Sequence, residues 1–144
     1  MNAAQRRFAD AMGETLATWN LPRATGRVYG YLLLKGTPSA SEQLRSELSL
    51  SGGAVSTSIR ELVSWGLART IPQSGSRRLL VEATGGFEQL LAASHERTRV
   101  FIRTLREARE LTESEVAAQR LHDVTELFDA YLAAGEQMLR KRRV

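Results

Sequence analysis

The chain has 144 residues, 42% of them hydrophobic, enough for one good core. No apolar run approaches the ~20 residues of a membrane span and no signal-peptide stretch opens the chain, so a soluble, cytoplasmic protein without a membrane partner is expected. The absence of cysteine excludes disulfides, thiolate metal sites and cysteine-based redox sensing, and the net charge of +4 lies wholly in residues 1 to 82, where ten Lys or Arg face six acids.

In chain order, the first predicted element is an amphipathic helix over Ala3 to Trp19, with Phe8, Met12 and Leu16 at intervals of four and Ala11 and Trp19 beside them. Asn20-Leu21-Pro22 breaks it. A second helix, from about Ala24 to Lys35, carries Val28, Tyr31, Leu32, Leu33 and Leu34 over so wide an arc that burial of most of it is expected. Gly30 in its interior costs roughly 1 kcal/mol of helix propensity, which close packing against another helix would offset. Gly36 ends it.

Ser39 and Glu42 have the spacing of a capping box and predict a third helix from near Ala40, with Leu44 and Leu48 on one side and a turn at Ser49. Ser51 is the expected cap of a fourth helix, about Gly52 to Trp65, with Gly66 as its terminator. Val55, Ile59, Leu62 and Val63 form its expected core stripe. The opposite face holds Gly53, Thr57, Arg60, Glu61 and Ser64, flanked by Ala54 and Ser56. Such a small, weakly acidic face fits deep into a major groove about 12 Å wide. Taken alone, it fits a solvated helix equally well.

Leu67 to Ile71 and Arg78 to Val81 read as short strands around the turn residues Pro72 to Ser76, predicting a hairpin with Pro72 on an edge strand. Arg77 and Arg78 leave the turn where no apolar packing is required, placed to grip phosphate or enter a minor groove. The plainer alternative is a charged edge that discourages strand pairing. Two short helices, a turn and a basic hairpin outline a winged helix-turn-helix. The expected fold class is therefore mainly α with a small β-hairpin wing.

Thr84 is the expected cap of a long helix ending near Leu111, with Phe87, Leu91, Ser94, Thr98, Phe101, Leu105 and Ala108 in 4-3 spacing and Leu90 and Ile102 widening the seam. Thr112 to Glu115 reads as a second capping box, opening a helix with Leu121, Val124, Phe128, Tyr131 and Met138. Two such helices exceed what a small winged domain covers, which predicts a two-fold homodimer through Phe8, Met12, Phe101, Leu105, Leu121, Val124, Phe128 and Tyr131. An intramolecular helical hairpin in a monomer is the alternative. The terminal Arg140-Lys141-Arg142-Arg143 complements a helix dipole or stays solvated. Residues 1–36, 37–83 and 84–144 are expected to supply supporting helices, the winged region and dimerisation helices of one integrated domain.

Catalysis has little foundation: there is no G-x-S-x-G, and Ser51-Gly52-Gly53 lacks the lysine of a phosphate-binding loop. His95 and His122 fall on different helices and read as surface histidines. No catalytic residue, metal or cofactor is predicted. The expected DNA-contacting set is Ser39, Ser51, Gly53, Ser56, Thr57, Arg60, Ser64, Arg77 and Arg78, with double-stranded DNA as partner; a winged protein-interaction module is the second reading.

The stretches Phe8 to Gly13 and Leu21 to Gly30, then Ser51 to Ser56, Leu62 to Leu67 and Gly75 to Arg78, resemble the MarR superfamily of bacterial transcriptional regulators, and within it the GbsR-type branch. The resemblance covers residues 8 to about 82. It implies a homodimer with a winged helix-turn-helix in each lobe, binding a near-palindromic operator, usually as a repressor and often released by a small-molecule effector. An effector site between the dimerisation helices and the reading head would involve Trp19, Tyr29, Tyr31 and Phe101, residue types that more often serve as core. Two departures stand out. Gly75 occupies the place where many such wings carry an Asp that holds the arginine two positions on. Leu79, Leu80 and Val81 replace the aromatics of GbsR-like wings, so choline-like recognition does not carry over.

Overall fold

In the computed structural model, which describes residues 1–142, helix α1 (Ala3–Ala17) opens on a capping box: Asn2 Oδ1 accepts from the Gln5 amide at 2.9 Å while Gln5 Oε1 accepts from the Asn2 amide. The helix buries Ala9, Gly13 and Leu16, leaving Phe8 exposed and Met12 half-buried, one position off the expected stripe. The shift follows from how helix α2 (Arg23–Leu34) crosses it. A Cβ on Gly26 would lie 2.6 Å from the Met12 carbonyl oxygen and 2.7 Å from Gly13 Cα, and one on Gly30 would lie 3.0 Å from Ala9 Cα. The contact is backbone on backbone, so the small residues must face it; Gly30 has the close packing expected of it. Val28, Tyr29, Tyr31 and Leu32 of α2 are buried, whereas Leu33 and Leu34 are exposed, so the apolar arc is not covered in full.

Ser39 does not cap helix α3 (Ser41–Leu48). Ala40 takes the cap position without a side-chain bond, and Ser39–Ala40 form a short strand, β1, antiparallel to β3 (Leu79–Ala83) with Ser39 opposite Val81. Strand pairing draws Ser39 inward and leaves Glu42 without its capping partner. Leu44 and Leu48 are fully buried, and Ser49 closes the helix in the left-handed region at φ 54°.

Helix α4 (Gly52–Ser64) starts as expected, with Ser51 Oγ accepting from the Ala54 amide at 3.1 Å, and Gly66 follows its end at φ 73°. Its buried line is Val55, Ser58 and Leu62; Ile59 is half-buried and Val63 exposed. Ser58 faces α2, where the Thr25 hydroxyl lies 3.4 Å from its Oγ and both residues are buried. Strand β2 (Ala68–Pro72) pairs with β3 in a sheet of order β1-β3-β2, which puts Pro72 on an edge strand. Thr84 caps no helix: its hydroxyl donates to the Gly66 carbonyl at 2.6 Å and its amide to the Leu67 carbonyl. These elements make up one compact unit, Met1–Phe87.

The second unit, Glu88–Val144, is a helical hairpin of α5 (Glu88–Ala108) and α6 (Glu115–Arg142) joined through a 3-10 turn, Arg109–Leu111. Arg143 of the basic terminus lies outside the described residues. The α6 cap is Ser114, whose Oγ accepts from the Ala117 amide; Thr112 Oγ1 accepts from the Ser114 amide instead of capping the helix. Helix α6 buries Ala118, Thr125, Leu132 and Leu139 at steps of seven, and α5 buries Leu90, His95 and Ile102. His95 is therefore no surface histidine. It is 8% exposed, and a Cβ on Gly135 would stand 2.7 Å from its Nε2. His122 is exposed beside Glu126. Ion pairs Arg99–Glu136, Arg106–Asp129 and Arg142–Glu88 join the two helices.

Candidate nucleic-acid interface

The exposed side of α4 carries Gly53, Ser56, Thr57, Arg60 and Ser64 together. A Cβ on Gly53 would meet nothing within 4 Å, so the helix presents almost bare backbone at its first turn. Ser51 stands at the same end, its side chain engaged in the cap. Ser64 Oγ donates to the Glu61 carbonyl at 2.7 Å and keeps a lone pair free. Ser39 is the exception: at 1% exposure, with its Oγ unpartnered among the described residues, it faces the interior and cannot reach a ligand on this face.

A groove of about 690 Å³ runs beside α4, lined by Arg45, Ser56, Ile59, Arg60, Val63 and Leu79 among others. A smaller cleft of about 280 Å³ shares Ser41, Glu42 and Leu79 with it and adds Arg77 and Arg78. Helix α4, the start of α3 and the base of the hairpin thus frame one continuous surface. Gly75 turns the hairpin tip at φ 73°, the conformation glycine adopts without strain.

Within the first unit, acids pair with Arg23, Arg27, Arg69 and Arg78. Arg6, Arg7, Lys35, Arg45, Arg60 and Arg77 have no acid partner among the described residues, and of these Arg45, Arg60 and Arg77 lie on the surface just described. Arg45 is the residue that sequence reasoning missed. A Cβ on Gly52 would lie 3.6 Å from its Cζ, which places the guanidinium against the first turn of α4. Its signal was present, since Arg45 sits one residue past Leu44 and so off the buried side of α3. Arg78, in contrast, is paired with Glu42.

The four aromatics expected at an effector site are divided between the two units. Trp19 and Tyr29 each meet Phe87, at ring-centroid distances of 5.2 and 6.1 Å, and Tyr29 is buried deeply enough that its phenol is pushed above the usual tyrosine range. Tyr31 points elsewhere in the core, where its Oη accepts from Gln43 Nε2 at 2.8 Å. Phe101 belongs to the second unit and packs edge-on against Phe128, 5.0 Å away. Trp19, Tyr29 and Tyr31 serve as packing.

Among the described residues, no group of three or more metal-ligating side chains is placed to hold an ion, and no helix is long and apolar enough to cross a membrane.

No family model matches the chain. It is 33% identical over 72 residues to the HTH-type transcriptional regulator MmpR5 of Mycobacterium tuberculosis, a match covering 49% of this chain and 44% of that protein, so it spans less than half of that relative's length. Among solved structures it is similar to the crystal structure of a transcriptional regulator, with a TM-score of 0.60 and 22% identity over 97% of this chain and 98% of the other. A looser likeness is to wild-type MarR from E. coli in its apo form, with a TM-score of 0.45 and 18% identity over 86% of this chain and 88% of the other. The fold is a winged helix-turn-helix followed by two long helices.

Proposed function

We propose that the chain is a sequence-specific, DNA-binding transcriptional regulator of the MarR type and GbsR-like branch, acting as a homodimeric repressor on a near-palindromic operator. One observation carries the reading: Arg45, Arg60 and Arg77 stand without acid partners around a recognition helix whose exposed face is made of small and hydroxyl-bearing side chains. The helix reads base edges through Thr57 and Arg60, and the flanking arginines neutralise phosphate and set the register. The similarity to MmpR5, named as a transcriptional regulator, supports the same role. An outward apolar stripe on α6 supports pairing between two copies, which would set two heads about one DNA turn apart.

The test is fluorescence anisotropy with labelled duplex over a range of salt. Affinity should fall steeply with salt, as counterion release demands. Arg77→Ala should weaken binding to all sequences and lower the salt slope by about 1. Arg60→Ala should cost of order 1 to 3 kcal/mol and relax preference at one or two base pairs, read by selection from a random pool. An absence of duplex binding at low salt would leave the protein-interaction reading, for which Val63 and Leu79, exposed in the groove, are the contact candidates.

A further inference from the structure

The wing carries two adjacent arginines, and the structure sets them in different surroundings. Arg78 Nη2 donates to Glu42 Oε2 in the first turn of α3, whereas Arg77 has no acid partner among the described residues. The remaining bonds of the turn are few: the Ser76 amide donates to the Gln73 carbonyl, the Gln73 amide to the Arg78 carbonyl at 3.4 Å, and the Arg78 amide to Ser76 Oγ. Residues 72 to 79 are all exposed, with no buried side chain to hold them. The Arg78–Glu42 pair is thus the tie from the hairpin tip back to the body of the reading head. Its far end is well founded, because Ser39–Ala40, just ahead of α3, pair with Leu80 and Val81 of β3.

We infer that Arg78 is a positioning residue, anchored by Glu42, and that Arg77 alone is the wing's contact to DNA. The inference rests on the DNA-binding reading for what the wing touches; the anchor itself is independent of it. A carboxylate in this place also serves the contact by exclusion. It occupies the guanidinium of Arg78, so phosphate meets the free neighbour and the wing has one register on the duplex. Both partners are more than half exposed, so the tie is modest in strength, and its effect is on order and register.

Three variants of the full chain separate the roles. Glu42→Asp keeps the charge but withdraws the carboxylate by one methylene. It should speed amide exchange across residues 73 to 79 without DNA and weaken duplex binding by about two- to fivefold, the scale of an exposed pair, with the salt slope unchanged. Arg78→Glu sets two acids against each other and should weaken binding further. Adding Glu42→Arg to Arg78→Glu reverses the pair and should restore both wing protection and affinity to within about threefold of wild type, as expected when position 78 makes no contact with phosphate. A reversed pair that restores wing protection yet binds as poorly as Arg78→Glu alone would overturn the inference, as would a Glu42→Asp wing exchanging at the wild-type rate. If the wild-type chain binds no duplex, the functional reading fails, while the exchange rates still decide the anchor.

Discussion

Gly26→Ala is expected to destabilise the first unit by about 2 to 3 kcal/mol and to lower its thermal midpoint by roughly 10 to 20 °C. The added methyl would sit 2.6 Å from the Met12 carbonyl oxygen and 2.7 Å from Gly13 Cα, and both are backbone, so no rotamer change relieves it. Either α1 moves away from α2, opening the Ala9, Leu16 and Val28 contacts, or the methyl is accommodated by bending a helix. Gly53→Ala provides the contrast. There the new Cβ meets nothing within 4 Å, and exchanging glycine for alanine in a helix contributes up to about 1 kcal/mol of propensity, so the midpoint should rise slightly. Circular dichroism melts of both variants give the comparison. Equal midpoints would contradict the backbone-to-backbone crossing. Duplex binding adds a second reading, since Gly53→Ala should weaken it where the bare first turn of α4 meets the groove.

What could be read in advance depended on how local each determinant is. Ser51, Gly66 and Pro72 behave as their types dictate because a cap, a helix terminator and a missing amide act within a few residues. Ser39 has the same capping signal as Ser51, but pairing with Val81, far along the chain, takes its backbone into a strand first. Thr84 was lost in the same way to carbonyls at 66 and 67. The helix faces shifted for another reason. Ala9, Gly13, Ser58, Ala118 and Thr125 are buried, and none of them ranks high in hydropathy, so stripes drawn through large apolar side chains came out rotated. At the candidate interface the small, polar exposed face of α4 was legible from composition. The division between Arg77 and Arg78 was not, because it depends on Glu42 from another element. Arg45 was hidden by the same kind of neighbour, the turn that brings the end of α3 beside Gly52.

Leu127→Glu combined with Tyr131→Glu is expected to convert a dimer into a monomer in sedimentation velocity without unfolding the α5–α6 hairpin. The hairpin uses one side of α6, the line of Ala118, Thr125, Leu132 and Leu139. At ~100° per residue, Val116, Val124, Leu127, Tyr131 and Met138 fall on a separate arc of roughly 80°. Leu127 and Tyr131 are each 66% exposed there and Val116 62%, so acids at 127 and 131 meet water in the isolated hairpin and each other's like charge across a two-fold interface. Of the residues expected at an interface, Val124 and Tyr131 lie on this arc, Phe8 and Phe101 are exposed elsewhere, Phe128 is half-buried between the two arcs, and Leu121 is half-buried at the edge of the buried one. Leu127, absent from that set, lies on the same arc and is as exposed as Tyr131. Far-ultraviolet circular dichroism should be unchanged in the double variant. Affinity for a two-site operator should fall by about 10²-fold or more, because two tethered heads bind with an effective concentration that single heads lack, while binding to a half-site duplex should be unaffected. A variant that keeps both its dimeric mass and its operator affinity would show that this stripe is not where two copies meet; a monomeric variant with undiminished operator affinity would show that one head suffices.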